Sequence, residues 1–129
     1  MIKMLIVDDE PEICGYIGNF FKKRGHKTFI LTDPSGVLSL IEKEEPQVVL
    51  LDILMPGASG LEILKQIKSK YKDAVKVIML TIADDQATKT EAFSRGADGF
   101  VKKPFTTDYL ESVVMKEIEE LLALRKKEE

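Results

Sequence analysis

Five short apolar runs alternate with five amphipathic segments along this chain, and that alternation constrains the fold more than any other feature. An unbroken aliphatic run is typical of a strand buried on both faces, as in a parallel sheet covered by helices. The sequence therefore predicts an α/β fold with five parallel strands between helical layers. The expected strands are Lys3–Val7, Lys27–Leu31, Val48–Leu51, Lys76–Leu80 and Gly99–Val101. The expected helices are Pro11–Arg24, Ser35–Glu44, Leu61–Tyr71, Gln86–Arg95 and Asp108–Lys126.

Length and charge narrow the class of protein. The length of 129 residues predicts one domain that spans residues 1–129. The formal net charge is −3 and no large basic block is present, so direct nucleic-acid binding is not expected. No apolar run approaches membrane-spanning length, and no signal-peptide pattern opens the chain, so no membrane partner is expected. Because Cys14 is the single cysteine, no intrachain disulfide can form, which fits a cytoplasmic location. Cys14 itself is interpreted as a packed residue.

The last predicted helix, about residues 108–126, is longer than docking onto the sheet requires. Its apolar residues continue as far as Leu121 and Leu122, close to the charged end of the chain. One interpretation is a stripe that faces the core and ends in a solvated charged segment. The other interpretation is an extended helix that serves as a linker or dimer helix.

Aspartates follow two of the predicted strands. Asp8 and Asp9 come directly after the first apolar run, and Asp52 comes directly after the third. Because ligands of parallel sheets bind outside the carboxyl ends of the strands, we expect these three carboxylates to lie close together. Like charges at that range destabilise one another, and Mg²⁺ relieves such repulsion with the oxygen ligands that it prefers. The sequence therefore predicts a magnesium site beside an aspartate.

Four motifs occur in a fixed order, each at the end of a separate predicted strand. The motifs are Val7-Asp8-Asp9-Glu10, Leu51-Asp52-Ile53-Leu54-Met55-Pro56-Gly57, Met79-Leu80-Thr81 and Gly96-Ala97-Asp98-Gly99-Phe100-Val101-Lys102-Lys103-Pro104-Phe105. In order and spacing they closely resemble the receiver domain of two-component response regulators, over nearly the whole chain. The resemblance implies a flavodoxin-like, doubly wound sheet with strand order 2-1-3-4-5 and five flanking helices.

The resemblance assigns chemical roles to the first two motifs. Asp52 matches the aspartate that accepts a phosphoryl group from a phosphohistidine. A carboxylate is a competent nucleophile toward phosphorus and forms a labile acyl phosphate. Asp8 and Asp9 match the acidic pair that holds Mg²⁺, with Asp52 and the backbone carbonyl of Leu54 as further ligands.

The other two motifs match residues that bind and sense the phosphoryl group. Lys103 would pair with a phosphoryl oxygen, and Pro104 matches a cis-proline that aims the lysine inward. Thr81 would donate its hydroxyl to the phosphoryl group. Phe100 matches the aromatic residue that turns inward when this threonine moves. The surface of the fourth helix, fifth strand and last helix would then change shape.

The function that the resemblance implies is a phosphorylation-dependent signalling switch. The phosphoryl donor would be a sensor histidine kinase or a histidine phosphotransfer protein, with Mg²⁺ as cofactor, and the output would be a downstream effector protein or domain. Such a protein catalyses its own phosphotransfer and dephosphorylation and is better described as a switch than as an enzyme. The resemblance leaves open a homodimer through the surface of the fourth helix, fifth strand and last helix.

Three residues depart from the pattern of the family or bear on its kinetics. Ile82 stands where the family has a small residue after the threonine, which could slow phosphorylation or restrict the donors. Leu54 and Ala83 occupy positions that tune dephosphorylation, and neither can activate a water, so the lifetime of the phosphorylated state is left open. Ile82 alone favours an alternative function, a receiver-like module that binds a partner without being phosphorylated.

Enzymes on a similar doubly wound sheet are the other alternative. A flavin carrier should have a phosphate-binding first turn rich in glycine, serine or threonine, whereas this chain has the acidic turn Asp8-Asp9-Glu10-Pro11. An aspartate-dependent phosphatase needs a second aspartate two residues after its nucleophile, and Leu54 occupies that position. Both enzyme interpretations are disfavoured.

Overall fold

The computed structural model describes residues 1–82 and 85–128, and it contains the predicted sheet. The strands pair in parallel in the order β2-β1-β3-β4-β5. The fold class and the strand order 2-1-3-4-5 are therefore confirmed. The strands of this sheet are β1 (Lys3–Val7), β2 (Lys27–Leu31), β3 (Val48–Leu51), β4 (Lys76–Thr81) and β5 (Gly99–Lys102). Leu54–Met55 and Ala58–Ser59 form a separate short antiparallel pair.

Five α-helices flank the sheet within the described residues. All predicted bounds of helices and strands agree with the structure to within two residues. Single 3₁₀ turns precede the second helix, at Pro34–Gly36, and follow the third, at Lys72–Ala74. In the part of the chain that the structure describes, no helix has the length and apolar character needed to cross a membrane. The helices are α1 (Pro11–Lys23), α2 (Val37–Glu44), α3 (Gly60–Tyr71), α4 (Gln86–Ser94) and α5 (Thr107–Glu128).

The sheet separates two hydrophobic cores because successive side chains of a strand point to opposite faces. In β1, Leu5 and Val7 pack on the face covered by α2, α3 and α4. Met4 and Ile6 of the same strand pack on the opposite face, against α1 and α5. Burial on both faces explains why the central strands β1, β3 and β4 are nearly continuous apolar runs rather than alternating ones.

Four strands end side by side at one edge of the sheet. Val7 of β1 pairs with Leu51 of β3, and Thr81 of β4 pairs with Lys102 of β5. Since the strands are parallel and in register, the residues that follow them emerge at the same edge. This register brings together side chains that are distant in the sequence.

A group of charged side chains lies at the opposite edge of the sheet, where β4 and β5 begin, and two of them, Lys76 and Glu117, are buried. The Lys76 ammonium lies 3.6 Å from Asp98 Oδ1 and 3.8 Å from Glu117 Oε2. Lys68 Nζ lies 2.6 Å from Asp98 Oδ2. Burial raises the pKa of Glu117 to about 7, helped by the charges of Glu120 and Asp98 and opposed by Lys76. This cluster joins α3, β4 and α5 through charges.

Candidate functional site

Asp8 and Asp52 enter the site from adjacent strands, and both side chains are buried. The backbone N–H of Asp52 donates to the carbonyl of Val7 at 3.0 Å, which extends the pairing of β1 and β3 by one residue. Each carboxylate also accepts a backbone N–H from two residues further on. Glu10 donates to Asp8 Oδ1 at 3.0 Å, and Leu54 donates to Asp52 Oδ1 at 3.2 Å. These turns hold one oxygen of each carboxylate and leave Oδ2 for other partners.

Lys103 reaches the same site from the end of β5. The peptide bond between Lys103 and Pro104 is cis, as the resemblance implied. The backbone N–H of Lys103 donates to the carbonyl of Thr81 at 2.8 Å, and the lysine side chain is buried. Its Nζ lies 2.6 Å from Asp8 Oδ2 and 3.4 Å from Asp52 Oδ2. The structure therefore brings Asp8, Asp52 and Lys103 into direct contact.

Burial and neighbouring charges shift the pKa values of two groups in this site, the Asp52 carboxyl and the Lys103 ammonium. Burial raises the pKa of Asp52 to about 6; the nearby ammonium of Lys103 opposes this rise, and the charge of Asp8 adds to it. Burial lowers the pKa of Lys103, but its hydrogen bond to Asp8 and the charges of Asp52 and Glu10 more than offset this effect. The net pKa of Lys103 is raised, so its ammonium stays charged at neutral pH.

The acidic residues of the first turn fit a divalent cation. Carboxylate oxygens of Asp8, Asp9 and Glu10 all lie within 4.8 Å of one another. With Asp52 nearby, the single ammonium of Lys103 leaves the group with excess negative charge. Mg²⁺ prefers such oxygen ligands and keeps several of its waters. The donor set therefore fits Mg²⁺.

Glu10 is the member of this group to which the sequence assigned no role. Its Oε1 lies 3.5 Å from Lys103 Nζ, although 93 residues separate the two in the chain. Its position directly after Asp8 and Asp9 was a signal for the site. The contact with Lys103 depends on the fold and could not be found from that signal.

Thr81, Leu54 and Ile82 lie around the rim of the site. Thr81 is fully buried as the last residue of β4, the strand next to β3. Leu54 and Ile82 are 53% and 65% exposed, so both present apolar side chains to solvent. Ala83, which was predicted to tune dephosphorylation, lies outside the described residues. The rim therefore combines a buried hydroxyl with two exposed aliphatic groups.

Phe100 lies in β5 opposite Met79 and is half-buried. The ammonium of Lys89, on α4, lies 5.6 Å from the centre of the Phe100 ring. A groove of about 530 Å³ adjoins this ring and is also lined by Lys102 and Tyr109. The described residues that line the groove include two lysines and no carboxylate. The groove is thus lined by aromatic rings and by lysine side chains.

Cys14 packs beneath the site, and its thiol donates to the carbonyl of Asp8 at 3.3 Å. Burial raises the pKa of this thiol to about 11. The thiol therefore stays protonated, which agrees with its interpretation as a packed residue rather than a nucleophile.

Comparison with known proteins identifies relatives of this arrangement. The model of one family, described as the response regulator receiver domain, matches residues 4–115. NtrX from Brucella abortus, solved in complex with ATP, is 30% identical with a TM-score of 0.91, and the match covers 98% of this chain and 29% of the NtrX chain. The chain therefore spans less than a third of NtrX.

Two further similar structures are close to this chain in length. The receiver domain of the Francisella response regulator 1452 is 28% identical with a TM-score of 0.83, over 93% of this chain and 99% of that chain. A CheY-like receiver domain protein from Methanospirillum hungatei is 24% identical with a TM-score of 0.90, over 95% of this chain and 98% of that chain. At that identity the second likeness shows the fold alone.

Proposed function

We propose that this chain, a member of the response regulator receiver domain family, accepts a phosphoryl group on Asp52 and signals by the change of shape that follows. The chain belongs to that family because the family model matches residues 4–115. Receiver domains of two-component systems work in phosphorylation-dependent signalling. Our proposal assigns the phosphoacceptor, the residues that bind the phosphoryl group and Mg²⁺, and the surface that contacts the effector.

The contact among Asp52, Asp8 and Lys103 is the observation that carries this proposal. An Asp52 carboxylate oxygen would attack phosphorus while the donor imidazole leaves, so the acyl phosphate forms on one of its two oxygens. The Lys103 ammonium, already 3.4 Å from Asp52 Oδ2, would pair with a phosphoryl oxygen. With a pKa of about 6, the Asp52 carboxyl is mainly ionised at neutral pH and can act as nucleophile.

Asp8 and Asp9 would hold Mg²⁺, with Asp52 and the backbone carbonyl of Leu54 as further ligands. When bound, the ion would supply neutralisation of the phosphoryl oxygens, which together with positioning is the main requirement of phosphoryl transfer. The chain itself orients the reacting carboxylate through the hydrogen bond from the Leu54 N–H. Phosphotransfer and dephosphorylation are its own chemistry, but the protein acts as a switch rather than as an enzyme.

We propose that the aromatic groove beside Phe100 belongs to the output surface, formed by α4, β5 and α5. Movement of Thr81 toward a phosphorylated Asp52 would vacate space that the Phe100 ring enters. Because the Lys89 ammonium lies beside the Phe100 ring, an effector with an acidic group next to an apolar anchor fits the groove best. A homodimer through the same surface is the alternative occupant.

The remaining proposals concern partners and setting. The phosphoryl donor would be a sensor histidine kinase or a histidine phosphotransfer protein, and the output a downstream effector protein or domain. Neither nucleic acid nor a membrane is proposed as a direct partner. We propose that residues 1–129 form one receiver domain, with α5 available as a linker or dimer helix, and that the protein works in the cytoplasm.

Incubation with acetyl phosphate and Mg²⁺ is expected to add one phosphoryl group to the wild type and none to Asp52→Asn. The asparagine side chain has nearly the same size, but its neutral amide cannot attack phosphorus as a carboxylate does. Intact-mass spectrometry measures the gain directly. Asp73→Asn, at an exposed aspartate far from the site, is the matched control and should gain the phosphoryl group like the wild type.

If the wild type gains no phosphoryl group, the same incubation is repeated with Ile82→Ala. Gain by Ile82→Ala alone would show that the exposed isoleucine keeps the small donor from Asp52. Absence of gain in both proteins would reject phosphorylation and support the module that binds a partner without it.

Thr81→Ala is expected to leave phosphorylation of Asp52 intact and to abolish most of its effect on the groove. The variant lacks the hydroxyl that would follow the phosphoryl group, so the space beside Phe100 would be the same before and after phosphorylation. Two-dimensional NMR of the backbone amides of Lys89, Phe100 and Tyr109, with and without acetyl phosphate and Mg²⁺, measures this coupling. Thr28→Ala in β2 is the control. Wild-type-sized amide shifts in phosphorylated Thr81→Ala would contradict the proposed coupling.

A further inference from the structure

We infer that Glu10 is a positioning residue that holds the Lys103 ammonium when Asp8 binds Mg²⁺. The inference rests on the proposed function, because it takes the pair of Asp8 and Asp9 as the magnesium ligands. It concerns a contact in the described structure to which neither the sequence motifs nor the family match assigns a role.

The ammonium of Lys103 is shared among three carboxylates. It lies 2.6 Å from Asp8 Oδ2, 3.4 Å from Asp52 Oδ2 and 3.5 Å from Glu10 Oε1. The side chains of Asp8 and Asp52 are buried, whereas that of Glu10 is 58% exposed. Glu10 is therefore the one of these three partners whose side chain has room to follow the ammonium.

Mg²⁺ bound to Asp8 would repel the Lys103 ammonium. Asp8 Oδ1 accepts the backbone N–H of Glu10, and the ammonium lies on Oδ2. A divalent cation on either oxygen of this carboxylate would be close to an ammonium that is 2.6 Å from Oδ2, and like charges at that range repel one another. The ammonium would then have to withdraw toward its other two partners.

Glu10 is the partner that can receive this ammonium. Asp52 is the proposed phosphoacceptor and a proposed metal ligand, so its oxygens are needed for the reaction. A buried ammonium without a partner is costly, and a nearby carboxylate reduces that cost. Glu10 would thus lower the free energy of displacing Lys103 from Asp8 and tighten Mg²⁺ binding without touching the phosphoryl group.

Two other roles would also make Glu10 favour Mg²⁺. Its carboxylate could act as a direct ligand, because its oxygen lies in the same group as those of Asp8 and Asp9. Its charge could also attract the cation through space. Both roles are independent of Lys103, whereas a positioning role requires it, so a double-mutant cycle between Glu10 and Lys103 separates them.

Isothermal titration calorimetry with MgCl₂ alone, on the full chain, tests the inference. We expect Glu10→Gln to weaken Mg²⁺ binding roughly fivefold to tenfold in the wild-type background, in line with couplings between contacting residues. We expect Lys103→Met to tighten Mg²⁺ binding because the competing ammonium is removed. In the Lys103→Met background, Glu10→Gln should change the affinity less than about twofold.

Control variants exclude a general effect of charge or folding. Glu12→Gln removes an exposed carboxylate two residues after Glu10, in the first turn of α1, and should change Mg²⁺ affinity less than about twofold. Lys103→Gln repeats the cycle with a polar side chain, in case Lys103→Met does not fold. NMR of the Lys103 ammonium should also show a Mg²⁺-dependent shift in the wild type that Glu10→Gln alters.

If Glu10→Gln weakened Mg²⁺ binding equally in both backgrounds, the inference would be overturned. Glu10 would then act on Mg²⁺ as a direct ligand or through its charge alone. No weakening in the wild-type background would overturn it as well. A wild type that binds no Mg²⁺ would instead reject the proposed magnesium site itself, and the inference with it. The three results are distinct, so the failure of the inference can be told from the failure of the proposed function.

Discussion

Replacing Gly60 with alanine is expected to destabilise the fold by about 3 kcal/mol or more and to displace the loop that carries Asp52. A Cβ atom on Gly60 would overlap the carbonyl oxygen of Asp52 and lie 2.7 Å from the Cα of Ile53. These are backbone atoms, so no side-chain rotation can relieve the overlap. The N–H of Gly60 also donates to the carbonyl of Ile53 at 2.9 Å, which holds the start of α3 against this loop.

Urea unfolding followed by circular dichroism measures the loss in Gly60→Ala. Gly15→Ala is the matched control, because Gly15 lies inside α1 with open space around the position of a Cβ. There alanine should stabilise the protein by about 0.5–1 kcal/mol through its higher helix propensity. If Gly60→Ala unfolded at the same urea concentration as the wild type, the start of α3 could move away from the loop without cost. That result would contradict the importance of the close packing of Gly60 on the backbone of Asp52 and Ile53.

Replacing Lys76 with methionine is expected to lower the free energy of unfolding by about 3 kcal/mol at about pH 8. The ammonium of Lys76 is buried between Asp98 and Glu117, at 3.6 and 3.8 Å. Methionine fills a similar volume but leaves the carboxylate of Glu117 without its cation. Removing one partner of a buried ion pair costs far more than removing an exposed charge.

This loss should depend on pH because of Glu117. Folding raises its pKa from the usual 4.5 to about 7, so the folded state holds the proton more tightly than the unfolded state. The contribution of Glu117 to stability is therefore full below about pH 4.5 and is lost as pH rises through about 7. At about pH 5.5 Glu117 is mostly protonated, and Lys76→Met should cost clearly less than at pH 8.

Chemical unfolding at the two pH values measures both effects. Lys70→Met, at an exposed pair with Glu42, is the control and should change stability by less than about 0.5 kcal/mol. The double variant Lys76→Met with Glu117→Leu should recover most of the loss at high pH, because it replaces the buried pair with apolar groups. A cost for Lys76→Met that is equal at both pH values would refute the role assigned to Glu117.

The parallel sheet could be predicted from sequence because strands buried on both faces are continuous apolar runs, whereas the strand order came from the family resemblance. Such runs identify β1 and β3 in the chain, and each is followed directly by an aspartate. In a parallel sheet the residues after neighbouring strands must share one edge, so Asp8 and Asp52 had to lie together. The resemblance added Lys103, which the structure places 2.6 Å from Asp8 Oδ2.

Local sequence determined the elements of this protein, the edge of the sheet where its acidic residues meet, and the family to which it belongs. Those features depend on hydrophobic periodicity and on residues next to one another in the chain. Only the tertiary structure decided that Glu10 shares Lys103, that Gly60 has no space for a Cβ, and that Lys76 is buried among carboxylates. The physical reason is that each of these depends on the packing and register of separate elements, and the periodicity of one segment carries no information about the distance to another.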